Sequence, residues 1–200
     1  MKKIYFLFVS GLLFFAACNN KKAKQPENDK TTAKIPQNTD YLVTLEGIGL
    51  VKTAMAQAEV EQLLNKKIPL TNPTDSVSGS WEDSTVIKFK DAEVKLAFVR
   101  TYMKEDSFYM RVTGMKTSSP LFKTQNGIGI GASKQQIIDA FENYLLIMSP
   151  EYEDTTYTTR SKTRYSIKIR EDWEGKEIVF YLKDNKVFSM EVTSFHDDSE

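Results

Sequence analysis

Two stretches of this chain follow the same local pattern, and they restrict its fold more than any other feature. Gly127-Ile128-Gly129-Ile130-Gly131 leads into Ala132-Ser133-Lys134-Gln135-Gln136-Ile137-Ile138-Asp139-Ala140-Phe141. Gly47-Ile48-Gly49-Leu50-Val51 leads into a second such segment that ends Val60-Glu61-Gln62-Leu63-Leu64. Glycine supplies the backbone freedom of a tight turn. Ala56, Val60, Leu63 and Leu64 in one copy, and Ile137, Ile138, Phe141 and Leu145 in the other, recur at helical spacing, so each copy predicts a helix with one apolar face. The glycine motifs lie 80 residues apart, Gly47 to Gly127, and the helical stripes 77, Val60 to Ile137. The first turn therefore carries about three more residues.

An apolar helix stripe needs a surface to cover, and each copy is followed by alternating segments that predict strands. In the first half these are Val86 to Lys90, Val94 to Arg100 and Phe108 to Thr113. In the second they are Tyr157 to Thr159 resuming at Tyr165 to Ile169, then Glu177 to Lys183, then Lys186 to Val192, with Asp184-Asn185 as a tight hairpin turn. Ser133 with Gln136 has the spacing of a capping box. Asn65-Lys66-Lys67 closes the first helix and Ser149-Pro150 the second helical region. The expectation is an α+β fold of two tandem helix-plus-antiparallel-sheet units, residues 41–120 and 121–200, each sheet covered by its own helix. Thr117-Ser118-Ser119-Pro120 marks the joint.

The N-terminus stands apart. Lys2 and Lys3 precede an apolar run from Ile4 to Ala17, too short to span a bilayer and of the right length for a signal segment. It ends Phe15-Ala16-Ala17-Cys18, which resembles the lipobox of bacterial lipoproteins, with Phe15 where that pattern usually has Leu. The resemblance implies a signal peptide over 1–17, cleavage before Cys18 and lipid on its sulfur. Cys18 is the only cysteine of the chain, so it serves no disulfide framework or metal cluster. Several acyl chains give stable anchoring where one does not. Residues 18–40 read as a lipidated cysteine and a flexible tether: Asn, Lys, Gln, Thr and Pro with Ile35 as the one large apolar residue bury too little surface to order themselves.

Composition narrows the functional classes. The formal charge is zero, which gives no general attraction to nucleic acid. His196 is the only histidine and sits with Asp197 and Asp198 in a polar tail, which predicts no metal site. One histidine and one lipid-bearing cysteine also remove the Ser-His-Asp and Cys-His arrangements. The Gly127-x-Gly129-x-Gly131 spacing fits neither a dinucleotide fingerprint nor a phosphate loop, and reads as a turn before a capped helix. Glu151, Glu153 and Asp154 lack the pattern of a calcium loop. A carboxylate pair for glycoside hydrolysis need not be close in sequence, and Tyr152, Tyr157, Tyr165, Trp81 and Trp173 supply aromatic surface for a sugar.

The two-residue period of strands sorts side chains into faces. With Ile87, Phe89, Val94, Leu96, Phe98, Met110, Val112, Ile167, Ile169, Ile178, Phe180 and Leu182 inward, the outward set includes Lys88, Lys90, Lys95, Tyr109, Arg111, Lys168, Arg170, Tyr181 and Lys183. This predicts basic, tyrosine-bearing outer faces, residue types that anchor protein interfaces.

The glycine turn, the helices bearing Glu59-Val60-Glu61-Gln62-Leu63-Leu64 and Ile137-Ile138-Asp139-Ala140-Phe141, and the meanders that follow resemble two related small folds. One is that of the tandem-repeat β-lactamase inhibitory proteins, the other that of the small lipoproteins of the outer-membrane assembly machinery. The resemblance covers residues 41–200 as architecture and about fifteen residues per unit as motif, and the whole looks like a lipoprotein of the Bacteroidota type. It implies a binding module without chemistry of its own. The expectation is a non-catalytic, cofactor-free lipoprotein anchored to the cell envelope at the outer membrane, which holds an envelope protein partner through its sheet faces. A carbohydrate-binding or carbohydrate-processing accessory role and a scaffold role in an outer-membrane complex are the alternatives.

Overall fold

A computed structural model of the chain describes residues 39–70, 82–89, 91–102, 108–172 and 175–195. The signal segment, Cys18, the tether as far as residue 38, Trp81, Lys90, Trp173 and His196 lie outside the described residues. A 3-10 turn at Thr39–Tyr41 opens into β1 (Leu42–Thr44), β2 (Gly47–Ile48), β3 (Val51–Lys52) and α1 (Gln57–Leu64). Then come β4 (Glu82–Phe89), β5 (Ala92–Tyr102), β6 (Phe108–Thr117), β7 (Lys123–Thr124) and α2 (Lys134–Ala140). The chain closes with β8 (Leu145–Tyr152), β9 (Arg160–Arg170), β10 (Gly175–Lys183) and β11 (Lys186–Phe195).

The expectation of two helix-plus-sheet units is overturned. Strands from both halves form one antiparallel sheet of seven, in the order β4-β5-β6-β11-β10-β9-β8. The halves join at β6 and β11, where Gly114 pairs with Thr193 and Thr117 with Met190. A second sheet, β3-β2-β1-β7, also crosses the expected boundary, because β7 pairs in parallel with β1. The fold is β-rich rather than two α+β units. The physical reason is the strand edge. A three-stranded meander that ends at β6 presents unpaired backbone groups, and β11 presents the same, so pairing them satisfies both. Helices of 8 and 7 residues form only two turns each and cannot cover such a sheet by themselves.

One face of the large sheet carries the core. Leu96, Phe98, Val112, Met115, Ile167, Ile169, Phe180, Leu182, Met190 and Val192 are fully buried there. The small sheet adds Val43, Ile48 and Val51, and the helices add Val60 and Ile137, to the same cluster. Phe141 at the end of α2 meets Phe180 with ring centroids 5.9 Å apart. Full burial of each such side chain contributes about 1.5–3 kcal/mol. Glu46 and Lys176 form an ion pair that ties the turn after β1 to β10 on this side.

Each helix is fastened to a central strand before it begins. Ala54 donates its N–H to the Val112 carbonyl at 2.8 Å, and Val112 donates to Met55 at 2.9 Å. Gly131 donates to Val187 at 2.8 Å, and Val187 to Ala132 at 2.9 Å. The Ser133–Gln136 capping box is present: the Ser133 N–H donates to Gln136 Oε1 at 2.8 Å, and the Gln136 N–H to Ser133 Oγ at 3.3 Å. In α1 only half a box exists, because Ala56 has no acceptor side chain and Glu59 Oε2 receives the Ala56 N–H at 2.7 Å. Asn65 ends α1 in the left-handed region at φ 49°.

The glycine motifs are structural. A Cβ on Gly47 would sit 2.0 Å from the Val51 carbonyl oxygen, and one on Gly129 would sit 2.7 Å from that of Phe122. These positions admit glycine because backbone passes against backbone.

Two local expectations also change. The segment 141–148, read as the end of the second helix, turns after Phe141 and becomes β8. A short apolar run such as Leu145-Leu146-Ile147-Met148 suits either state, and here the open edge of β9 takes it as a strand. Pro150 lies within β8, where the missing N–H costs nothing because β8 is an edge. Tyr157 to Thr159 is not a strand: Tyr157 has φ 56° in a loop, and β9 begins at Arg160.

Candidate functional site

Among the described residues, the helices and the small sheet share one core cluster with one face of the large sheet, and the other face carries no helix. Cross-strand register arranges that face into rows. One row runs Ser84, Ala97, Gly114, Thr193, Glu177, Arg170, Leu145 from edge to edge. The next runs Val86, Lys95, Lys116, Glu191, Val179, Lys168, Ile147. Both rows depend on a bulge. Ala97 pairs with Gly114 but Phe98 with Val112, so Thr113 is an extra residue in β6. Val112 and Met115 thereby both point into the core, and Gly114 and Lys116 both point outward.

Several of the basic residues on the outer face are paired with acids, among them Lys168 and Arg170, which alternation places there. Arg170 is buried, 6 % exposed, and its Nη2 lies 2.6 Å from Glu177 Oε2, with Nε donating to the same oxygen at 2.7 Å. Lys168 Nζ is 3.4 Å from Glu177 Oε1. Glu177 is 3 % exposed, so its buried carboxylate is shared by two cations. Tyr181 is half-buried; its hydroxyl donates to Glu191 Oε2 at 2.7 Å. Lys116 Nζ lies 3.6 Å from the Tyr181 ring centroid and 3.3 Å from Glu191 Oε2. Burial raises the Tyr181 phenol well above its ordinary range, and the hydrogen bond to Glu191 adds to it.

The remaining predicted positions divide. Arg111 is half-buried and its Nε donates to Thr101 Oγ1 at 2.7 Å, while Tyr109 pairs with Thr101 further along β6. Lys88 is exposed near the end of β4, and Lys183 is exposed at the hairpin end of β10. Lys95 is exposed on β5 and has no hydrogen-bond or ion-pair partner among the described residues. Lys90 lies outside the described residues.

Around Lys95 the face opens into a groove of about 550 Å³, lined among others by Glu82, Ser84, Ala97, Gly114, Lys116 and Glu191. Its floor is small because Ser84, Ala97 and Gly114 share one row. Glu82 lies at one end, exposed and without a partner among the described residues. Sequence reasoning missed Lys116, Glu191, Glu177 and Gly114. The bulge at Thr113 shifts the parity of β6 beyond it, which turns Gly114 and Lys116 outward, and Gly114 within a strand pattern was the one local sign of it.

Of the aromatic candidates, Tyr152, Tyr157 and Tyr165 lie among the described residues. Tyr152 and Tyr157 meet edge to face at 5.5 Å, and Tyr165 donates its hydroxyl to Asn185 Oδ1 at 2.7 Å. Asp154 organises the loop beneath Tyr157. It accepts the Thr158 N–H at 2.9 Å, the Thr159 N–H at 2.6 Å and the Thr156 hydroxyl at 2.8 Å, and the Thr158 amide foremost among these holds its carboxyl far below the usual range. Among the described residues, no cluster of three or more His, Cys, Asp or Glu side chains is placed to hold a metal ion. No protein-family model, no curated protein and no solved structure matches this chain.

Proposed function

We propose that this chain is a lipid-anchored envelope protein whose folded part holds a protein partner against the helix-free face of its seven-stranded sheet. The observation that carries this reading is the groove over Ser84, Ala97 and Gly114, flanked by the exposed Lys95 and Glu82. The neighbouring charges support it. Arg170, Lys168 and Lys116 are paired within the fold to Glu177 and Glu191, which makes a rigid wall beside the groove. A rigid wall with small residues at its foot suits insertion of side chains from another chain, since less ordering is required on contact.

Anchoring and binding are tested separately. Cys18→Ser moves the protein from the membrane pellet to the soluble fraction; retention in the pellet overturns the lipid anchor. For binding, a photo-crosslinking amino acid replaces Val86, which pairs with Lys95 at the rim of the groove and is 58 % exposed, or Leu121, which is 46 % exposed outside that sheet. In intact cells the first position yields one dominant protein adduct and the second does not. Equal adduct patterns from both positions, or none from Val86, overturn the face as the binding surface.

A further inference from the structure

Gly114 differs from the other glycines that shape this fold. Gly47 and Gly129 are demanded by backbone contact, and Gly49, Gly127, Gly131 and Gly175 have φ between 61° and 111°. Gly114 has neither excuse. It is not among the positive-φ glycines, and a Cβ there would meet Thr193 Oγ1 at 3.6 Å and Ala97 Cβ at 3.7 Å, ordinary contact distances. A glycine inside a strand weakens it; this one follows the bulge residue Thr113, and without a side chain it leaves the sheet surface open to close approach. That opening is the floor of the groove.

The charges around the floor say what approaches. Lys116 and Glu191 neutralise each other and Asp83 is half-buried with a partner in the fold, which leaves Lys95 and Glu82 as the exposed charges of the groove without partners among the described residues. They stand on opposite sides of the Ser84–Ala97–Gly114 row. Lys95 pairs with Val86 and Glu82 lies four residues earlier on β4, about 13 Å along the strand at the usual rise. A purely acidic segment would be attracted at Lys95 and repelled at Glu82, and a purely basic one the reverse. From this we infer that the groove takes a dipolar segment of a partner protein: an acidic side chain over Lys95, a basic side chain over Glu82, and main chain or a small side chain close against Gly114. The inference rests on the binding reading above and names the chemistry of its partner.

Charge reversal tests it without knowing the partner. The full-length protein carrying the photo-crosslinker at Val86 is combined with Lys95→Glu, Glu82→Lys or Gly114→Leu, and adduct yield is read in intact cells. A dipolar partner loses about five-fold or more with either reversal, the scale of one exposed ion pair turned repulsive, and loses the adduct with Gly114→Leu. A rise in yield with Glu82→Lys would reveal a wholly acidic partner, and a rise with Lys95→Glu a wholly basic one; either overturns the inference. So does an adduct whose mass is that of two copies of this chain. Lys95→Gln and Glu82→Gln, which perturb folding less, each give an intermediate loss. If the starting adduct forms and none of the variants alters it, the inference falls while the binding face stands. If no adduct forms at all, both fall.

Discussion

Arg170 on β9 and Glu177 on β10 face each other across the sheet, and the guanidinium grips one carboxylate oxygen through both Nε and Nη2 at 2.7 and 2.6 Å. Their side chains are 8 % and 4 % exposed. Two strands that read as independent runs are thus locked by a charge pair that neither run discloses. Removing one partner leaves the other charge buried, so Arg170→Met or Glu177→Leu should each cost about 3 kcal/mol or more. The double replacement Arg170→Met with Glu177→Leu should cost far less than the sum of the singles. Urea unfolding of the four proteins gives the coupling directly, and additive losses would show that the pair does not act as a unit.

Tyr181 should make the fold sensitive to alkali. Its phenol is raised in the folded state, first by burial and then by the hydrogen bond to Glu191, so the folded chain holds that proton more tightly than the unfolded chain. The contribution is fully present below the unfolded tyrosine value of about 10 and is lost as pH climbs from there through the folded value. Stability measured at increasing pH should therefore decline above that point in the wild type. Tyr181→Phe should flatten part of the decline. Identical pH profiles for the two would exclude the assignment.

Asp154 gives the opposite sign. The Thr158 and Thr159 amides and the Thr156 hydroxyl hold its carboxyl down, so its contribution is present above the unfolded aspartate value of about 3.9 and is lost as pH falls below it towards the lower folded value. Because the group sits in a surface loop between β8 and β9, the effect should be local. Asp154→Asn should speed hydrogen exchange at Thr158 and Thr159 while amides of β10 keep their protection. Uniform acceleration across the sheet would contradict a local role.

The glycines separate into two kinds by substitution. Gly47→Ala places a Cβ 2.0 Å from a carbonyl oxygen and should cost about 3 kcal/mol or more, or prevent folding. Gly114→Ala meets only ordinary contacts and should raise stability by about 0.5 kcal/mol through the stiffer unfolded chain. Thermal unfolding distinguishes them, and a loss of more than about 1 kcal/mol at Gly114 would mean that the backbone does require glycine there.

What could be read from residues alone was local. Ser133 with Gln136 states its own cap, Asp184-Asn185 takes positive φ at both positions as its hairpin requires, and the alternating Val94, Leu96 and Phe98 point inward as their period dictates. What could not be read depends on partners far away in sequence. The fate of Leu145 to Met148 was decided by the open edge of β9, and the merging of the halves by the match between Met115 and Val192. The candidate site suffered most, because one extra residue at Thr113 reverses which side chains of β6 face the groove. The acids that neutralise Arg170 and Lys116 sit on β10 and β11, and no spacing rule connects them.

The junction of β6 with β11 also sets the order in which the protein can be made. Residues 118–185 must be synthesised between the last residue of β6 and the first of β11. Throughout that interval the nascent chain bears a raw strand border in the middle of what will become its sheet, a site that invites association with other unfinished chains. A fragment that stops after Pro120 should scatter light at concentrations where the whole protein stays clear. The unfinished sheet thus stays open to such association until the C-terminal strand emerges.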